Sequence, residues 1–377
     1  MKFEPYPFEK LTQLLKDIKP SQEHSEAILT IGEPQFETPL IIQDELKNST
    51  KLLKKYPKTA GEEYLKIAQL GFVKRRFGVE LEQDELIPTF GTREVLFNFP
   101  QFLLFDVKNP TIAFTNPFYQ IYEGAATACR ADVIHLNLTK ENDFKPDISD
   151  IRLKKANLVI LNFPNNPTSS TMSKYELARW VKLALKYDFV LMNDECYSEI
   201  YSNNAPVSLL EASLHVGNMD FKNILVINSI SKRSSAPGLR SGFIAGDKNI
   251  LKEYSKYRTY VGTAIPLPLQ KAASIAWSDD LHVENSRAVY KKNLELASEI
   301  LGVKKSDATF YVWLEVDNDL EFTKRLYEKK NVKVLPGSFL GREGIGSAYV
   351  RVALVENSEK TKEVLTRISD FTKEDNI

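Results

Sequence analysis

Five short runs of branched and aromatic residues, spaced by helix-length segments, constrain the fold more than any other feature: Thr111-Ile-Ala-Phe114, Leu158-Val-Ile-Leu161, Phe189-Val-Leu-Met192, Ile224-Leu-Val-Ile227 and Phe243-Ile-Ala245. Runs this short and this continuously apolar read as strands buried on both faces, as in a parallel sheet covered by helices. Between two of them, Ser173-Lys-Tyr-Glu176 reads as a capping box that opens a helix through about Lys186. Strand, helix, strand in succession implies an α/β layered domain with right-handed crossovers.

Beyond Trp277 the pattern changes. A long helical stretch is followed by the run Phe310–Val316, a helix near Leu320–Lys330, a short strand at Val332–Leu335, another near Tyr349–Leu354 and a terminal helix. That is a smaller α+β unit. At 377 residues the chain exceeds what one core usually serves, so two domains are expected. Residues 36–276 form the large one; residues 1–35, too few for a core of their own, pack with 277–377 in the small one.

Several function classes are disfavoured. Fifty Lys and Arg balance fifty Asp and Glu, so no bulk charge draws the chain to nucleic acid or anionic membrane. Cys129 and Cys196 form no CxxC pair, no apolar run is long enough to span a bilayer, and the start of the chain lacks a signal peptide's apolar core. A cytoplasmic location is expected. No GxxxxGK[ST] or GxGxxG motif marks a nucleotide site. His24, His135, His215 and His282 are scattered without metal-ligand spacing, and His135 reads as a strand-end residue.

Open α/β sheets bind ligands beyond the carboxyl ends of their strands. Leu158–Leu161 leads into Asn162-Phe-Pro-Asn-Asn-Pro-Thr168, Phe189–Met192 into Asn193-Asp-Glu-Cys-Tyr197, and Ile224–Ile227 into Asn228-Ser-Ile-Ser-Lys232 with Arg240 just after. An amide, a carboxylate, a phenol, a lysine and an arginine thus fall on one rim. Singly, each has an ordinary explanation: a solvated lysine, a capping aspartate, an Asn-Asn-Pro turn, a packed tyrosine, a surface ion pair. Jointly, at consecutive strand ends, they meet the needs of pyridoxal phosphate. Its aldehyde needs a lysine amine made nucleophilic by desolvation, here Lys232. Its ring nitrogen stays protonated only against a carboxylate, here Asp194. Asn166 and Tyr197 offer donors to the ring oxygen, and Tyr119 in Asn116-Pro-Phe-Tyr119 offers a stacking face. The phosphate needs a helix start and fixed cations, which Gly91-Thr-Arg-Glu94, Ser229 and Arg240 supply.

The segments Gly32-Glu-Pro34, Tyr56-Pro57 with Gly61, Gly91-Thr92, Asn116-Pro-Phe-Tyr119, Asn165-Asn-Pro-Thr168, Asp194-Glu-Cys-Tyr197, Ser229-Ile-Ser-Lys232, Arg240 and Arg351-Val-Ala353 resemble, in order and over nearly the whole chain, class I/II aminotransferases of fold type I. The resemblance implies a mostly parallel central sheet sandwiched by helices in a large cofactor-binding domain, plus the smaller α+β domain. It implies that Lys232 joins the cofactor and moves the substrate proton, that Asp194 pairs with the pyridinium, and that Asn166 and Tyr197 bond the ring oxygen while Tyr119 stacks. Thr92 and Arg93 by backbone amide, with Ser229 and Arg240 by side chain, would hold the phosphate. Tyr56 would reach the phosphate of a neighbouring subunit in a homodimer with shared sites. Arg351 would clamp the substrate α-carboxylate, assisted by the Gly32 backbone and Asn166. The sequence departs from type at Ser169, where the family has glycine after Asn-Pro-Thr; that should alter the turn and leave the ring contact alone. Glu63-Tyr-Leu-Lys66 also replaces a usual Leu-Arg pair.

The implied reaction is ping-pong transfer of an amine between an amino acid and a 2-oxo acid, with glutamate and 2-oxoglutarate as one pair. Residues 117–122, 193–201 and 231–240 look like those of bacterial N-succinyl-diaminopimelate aminotransferases of lysine and cell-wall precursor synthesis. A distal anion on such a substrate needs a second cation besides Arg351, with Arg93 and Arg258 as candidates. Aspartate, alanine or aromatic aminotransfer, or a carbon–sulfur lyase on the same fold, stand as alternatives. A regulatory member of the fold is disfavoured by the intact lysine, aspartate and arginines.

Overall fold

The computed structural model describes residues 3–374. Its twelve strands, all within those residues, are β1 (Ala27–Ile28), β2 (Leu86–Thr89), β3 (Thr111–Asn116), β4 (Asp132–Asn137), β5 (Leu158–Leu161), β6 (Val190–Asp194), β7 (Ile224–Ser229), β8 (Gly242–Gly246), β9 (Tyr311–Glu315), β10 (Val332–Lys333), β11 (Leu335–Pro336) and β12 (Tyr349–Ala353). Seven form one sheet in the order β2-β8-β7-β6-β5-β3-β4. The five strands from β7 to β4 are parallel, as their apolar runs imply.

That sheet is buried on both faces. Val159, Leu191, Val226 and Phe243 pack with Trp180 and Trp277 on one side, whereas Ile160, Met192, Leu225 and Ile244 pack with Phe99 and Tyr254 on the other. Neighbouring residues along each strand therefore enter opposite cores, which requires an unbroken apolar run. Ser173 caps the helix Lys174–Tyr187, with Glu176 closing the reciprocal bond, as the sequence predicts.

Two strands of this sheet and one direction are not in the sequence reading. β2 and β4 are the sheet's edges. β2 carries Pro88, which an edge strand tolerates because one side of its backbone needs no partner. β4 alternates exposed and buried positions, and His135 sits inside it facing Glu343 rather than at its end. β8, read as part of the parallel set, runs antiparallel to both β7 and β2. The segment between β7 and β8 holds only the one-turn helix Ile230–Arg233 and a short turn at Pro237–Leu239, with no crossover helix to carry the chain back to the other end. This reversal positions the site. The carboxyl end of β7, the start of β8 and the carboxyl end of β2 all meet on one rim, where Ser229 and Thr89 each lie opposite Gly242.

The tail builds a three-stranded antiparallel sheet, β11-β12-β9. The single strand predicted at Val332–Leu335 is two short pieces: β10 pairs in parallel with β1, and β11 pairs with β12. The N-terminal segment is thereby tied to the tail, and the helix Pro7–Leu15 packs Leu11 and Leu15 against Leu335 and Leu340. Among the described residues no helix is long and apolar enough to cross a membrane.

Candidate active site

A cavity of about 800 Å³ opens at that rim. Thr92, Arg93, Tyr119, Asn166, Asp194, Tyr197, Ser229, Lys232, Arg240, Gly32 and Arg351 all line it. Tyr56 does not; its side chain is fully exposed elsewhere on the surface.

Asp194 ends β6 at the cavity floor and is 5% exposed. Its carboxylate accepts from the Tyr122 hydroxyl at 3.0 Å and the Cys196 amide at 3.2 Å. Burial pushes its pKa up, and only these neutral donors oppose the shift. Among the described residues no cation pairs with it. A buried carboxylate without a cationic partner is costly, so the position favours a ligand that brings positive charge.

Lys232 sits in the one-turn helix after β7, which Ser229 caps by accepting the Ser231 amide at 3.0 Å. Its amine donates to the Gly32 carbonyl. Burial lowers its pKa to about 8, and the charges of Arg351 and Arg240 push the same way. The neutral, nucleophilic form is therefore accessible near neutral pH. Capture of pyridoxal phosphate by the apoprotein should accordingly rise with pH through about 8 rather than near 10.5, as the amine loses its proton. Stopped-flow absorbance between pH 6 and pH 10 checks this, because the window (roughly two units either side) spans the titration.

Arg240 lies just before β8 in a left-handed conformation, φ 51°. Its guanidinium packs against Gly91 so closely that a Cβ there would come within 2.3 Å of Nη2. Glycine at 91, itself at φ 74°, lets the cation stand beside the first turn of the helix Thr92–Leu103. Backbone amides and a fixed guanidinium together form an anion cradle.

On the opposite wall, Arg351 projects from β12. Its Nη1 donates to Asn166 Oδ1 at 2.7 Å, its Nη2 to the Thr30 carbonyl at 2.6 Å, and its guanidinium lies 4.4 Å from the Tyr311 ring centroid. The Tyr311 hydroxyl meets that of Tyr197 at 2.9 Å. Asn162 braces the Asn165-Asn166 loop, accepting the Asn166 amide at 2.9 Å and donating to the Asp194 carbonyl at 2.9 Å.

Two expectations change. Arg258 is not a free or solvated cation. It is buried, does not line the cavity, and pairs with Glu94 through Nε–Oε1 at 2.6 Å and Nη2–Oε2 at 3.1 Å. Ser169 does not reshape the turn away from a glycine-like form: it adopts φ 61° itself. Its hydroxyl meets Thr309 at 2.6 Å and donates to the Tyr311 carbonyl at 2.8 Å, contacts that offset the cost of a left-handed serine.

Tyr6, Tyr122 and Tyr311 escaped the sequence reading. They arrive from an N-terminal segment, a helix and β9, none of which is a strand end of the main sheet. Asn162 carried a usable signal, being the first residue after β5.

A planar, anionic, electron-withdrawing cofactor fits this donor set: a carboxylate wanting a cation, an anion cradle, an aromatic wall at Tyr119 and a lysine of lowered pKa. Residues 27–368 match the family described as aminotransferase class I and II. The chain is 32% identical to the LL-diaminopimelate aminotransferase of Natranaerobius thermophilus, over 97% of both chains. Among solved structures, aminotransferase AspB from Helicobacter pylori superposes with a TM-score of 0.97 at 55% identity, covering 99% of this chain and 100% of that one. An aminotransferase from Neisseria meningitidis superposes with a TM-score of 0.94 at 39% identity, covering 98% of each.

Proposed function

The chain belongs to the class I and II aminotransferases, and from that premise we propose that it transfers the amine of a long amino acid bearing a distal carboxylate, of the diaminopimelate kind, to 2-oxoglutarate. It is a pyridoxal-phosphate-dependent enzyme of fold type I. When bound, the cofactor supplies an electron sink for negative charge at the substrate α-carbon. The other steps belong to the side chains. Lys232 would hold the cofactor through its amine Nζ, and the same amine would carry the proton at the substrate α-carbon. Asp194 holds the ring nitrogen in its protonated form. Asn166, whose Oδ1 is taken by Arg351, would have its amide NH₂ left to hold the ring oxygen together with Tyr197. Arg240, Ser229 and the amides of Thr92 and Arg93 hold the phosphate, and Tyr119 covers the ring. Arg351 binds the α-carboxylate, and with Gly32 it orients the α-carbon toward Lys232.

The observation that carries this reading is the meeting of Lys232, Asp194, Arg240 and Arg351 around one cavity, although they come from distant parts of the chain. The exposed Tyr56, outside its own cavity, supports a homodimer in which it reaches the phosphate of the other copy. The same reading assigns residues 36–276 to the cofactor domain and residues 1–35 with 277–377, bearing Gly32 and Arg351, to the small one. A role in lysine and cell-wall precursor synthesis draws support from the LL-diaminopimelate relative.

A donor screen with 2-oxoglutarate, reading glutamate formed, tests the substrate. LL-diaminopimelate or its N-succinyl derivative should give the highest kcat/KM. Faster turnover of aspartate, alanine or phenylalanine would remove the long-substrate assignment. Pyruvate and ammonia released from cystathionine would instead indicate a lyase.

A further inference from the structure

The turn that carries Lys232 is held from behind. A one-turn helix has almost no stability of its own, so its place is imposed by what it packs on. Behind Ile230–Arg233 runs one segment, residues 276–282, where the helix Leu267–Ser278 gives way to the long helix Leu281–Leu301. Arg233, next to Lys232, is buried, and its guanidinium donates to the Ala276 carbonyl at 2.5 Å and to Asp280 Oδ1 at 3.0 Å. Ser234, two residues past Lys232, meets His282 Nε2 through its Oγ at 2.8 Å, and His282 Nδ1 meets Asp279 Oδ2 at 2.5 Å. Next to Arg240, the Ser241 hydroxyl accepts from Trp277 Nε1 at 3.2 Å. Residues flanking both cofactor-facing cations are thus tied to the same segment.

Ser234, His282 and Asp279 stand in the order of a hydrolytic triad, but Ser234 is 1% exposed and none of the three lines the cavity, so no substrate reaches the hydroxyl. The chain of bonds serves position instead. Against burial, the bonds from His282 hold the Asp279 carboxyl below its usual range, so it only accepts, and His282 Nδ1 carries the hydrogen. Burial lowers the His282 pKa in turn; the bond to Asp279 and the charge of Asp280 oppose the shift, and the charge of Arg233 adds to it. The ring is therefore neutral at neutral pH, and its bare Nε2 accepts from Ser234. We propose that His282, anchored by Asp279, is a positioning residue that holds the Ser234 end of the Lys232 turn in place behind the cavity. This rests on the reading that Lys232 carries the cofactor, and adds the brace that keeps its amine buried and aimed. A misplacement of about 1 Å can cost a reaction about 10²-fold. The amine's own hydrogen bond, to the Gly32 carbonyl, reaches a different part of the chain, and the groups whose charges it feels are Cys196, Glu33, Arg351 and Arg240. Releasing the turn lets water reach Nζ and relieves the burial that lowers its pKa.

The test reads the pH midpoint for capture of pyridoxal phosphate by the full-length apoprotein, followed by stopped-flow absorbance. Borohydride reduction and peptide mass spectrometry give the attachment site. Wild type should capture the cofactor on Lys232 with a midpoint of about 8. His282→Asn keeps a donor for Asp279 and is too short to meet Ser234. It should move the midpoint up by about one unit, which makes capture about 10-fold slower at pH 7. Ser234→Ala should move it the same way; it leaves His282 and Asp279 paired, so the test survives if the His282 variant does not fold. His282→Gln, whose amide can stand where Nε2 stood, should fall nearer wild type. An unchanged midpoint in folded His282→Asn and Ser234→Ala, even with a lowered melting temperature, overturns the proposal, because a merely packed histidine would change stability and leave the amine's titration alone. Attachment of the wild-type cofactor to another lysine, or to none, overturns instead the reading of Lys232 on which the proposal rests.

Discussion

Lys232→Ala should abolish transamination, lowering kcat by at least ~10³-fold, because one side chain serves two steps. On the proposed reading it would supply both the amine that joins the cofactor and the base at the substrate α-carbon, and a positioned proton-transfer group alone is worth about 10²–10⁴-fold. The fold should survive the change. Lys232 lies in a one-turn helix whose cap is Ser229, and its amine bonds the Gly32 carbonyl rather than a partner in the core. Steady-state assays alongside thermal unfolding separate the two effects: lost activity with an unshifted melting temperature is the expected pair. Retained turnover would mean that another amine carries the cofactor.

Asp194→Ala should cost about 10²–10³-fold in kcat. The carboxylate is buried, receives neutral hydrogen bonds from Tyr122 and Cys196, and pairs with no cation among the described residues. A protonated ring nitrogen would make it one half of a buried ion pair, and removing one half of such a pair costs about 3–5 kcal/mol, whose lower half corresponds to two to three powers of ten. Lys232 and its neighbours are untouched, so the cofactor should still bind covalently. The expected signature is a coloured protein that turns over slowly. A variant as fast as wild type would show that Asp194 does not serve the ring nitrogen.

How much of this was written in the sequence differs from residue to residue. The central parallel strands were legible because burial on both faces demands unbroken apolar runs, and four such runs predict β3, β5, β6 and β7 to within two residues. Edge strands escape that logic: β2 contains Pro88, and β4 alternates. The direction of β8 was not legible either, since an apolar run carries no arrow. Yet that reversal is why Arg240 shares a rim with Lys232.

Residues beyond strand ends were the easiest part of the site to find, because topology alone brings Asn166, Asp194 and Lys232 to one edge. Tyr122 was invisible because its reach to Asp194 depends on how a helix packs over 72 positions of sequence. Arg258 misled for a related reason. A lone arginine in a sequence says nothing of a glutamate 164 positions away, and burial with Glu94 removes it from the cavity. Ser169 shows the opposite case, in which a departure from glycine leaves the backbone shape intact because new hydrogen bonds hold it.

The central claim is that the amine at position 232 carries the cofactor. Reduction of the cofactor-loaded protein with borohydride, followed by proteolysis and peptide mass spectrometry, tests it directly. A phosphopyridoxyl group on the peptide containing Lys232 is the expected result. The same group on another lysine, or on none, would contradict it.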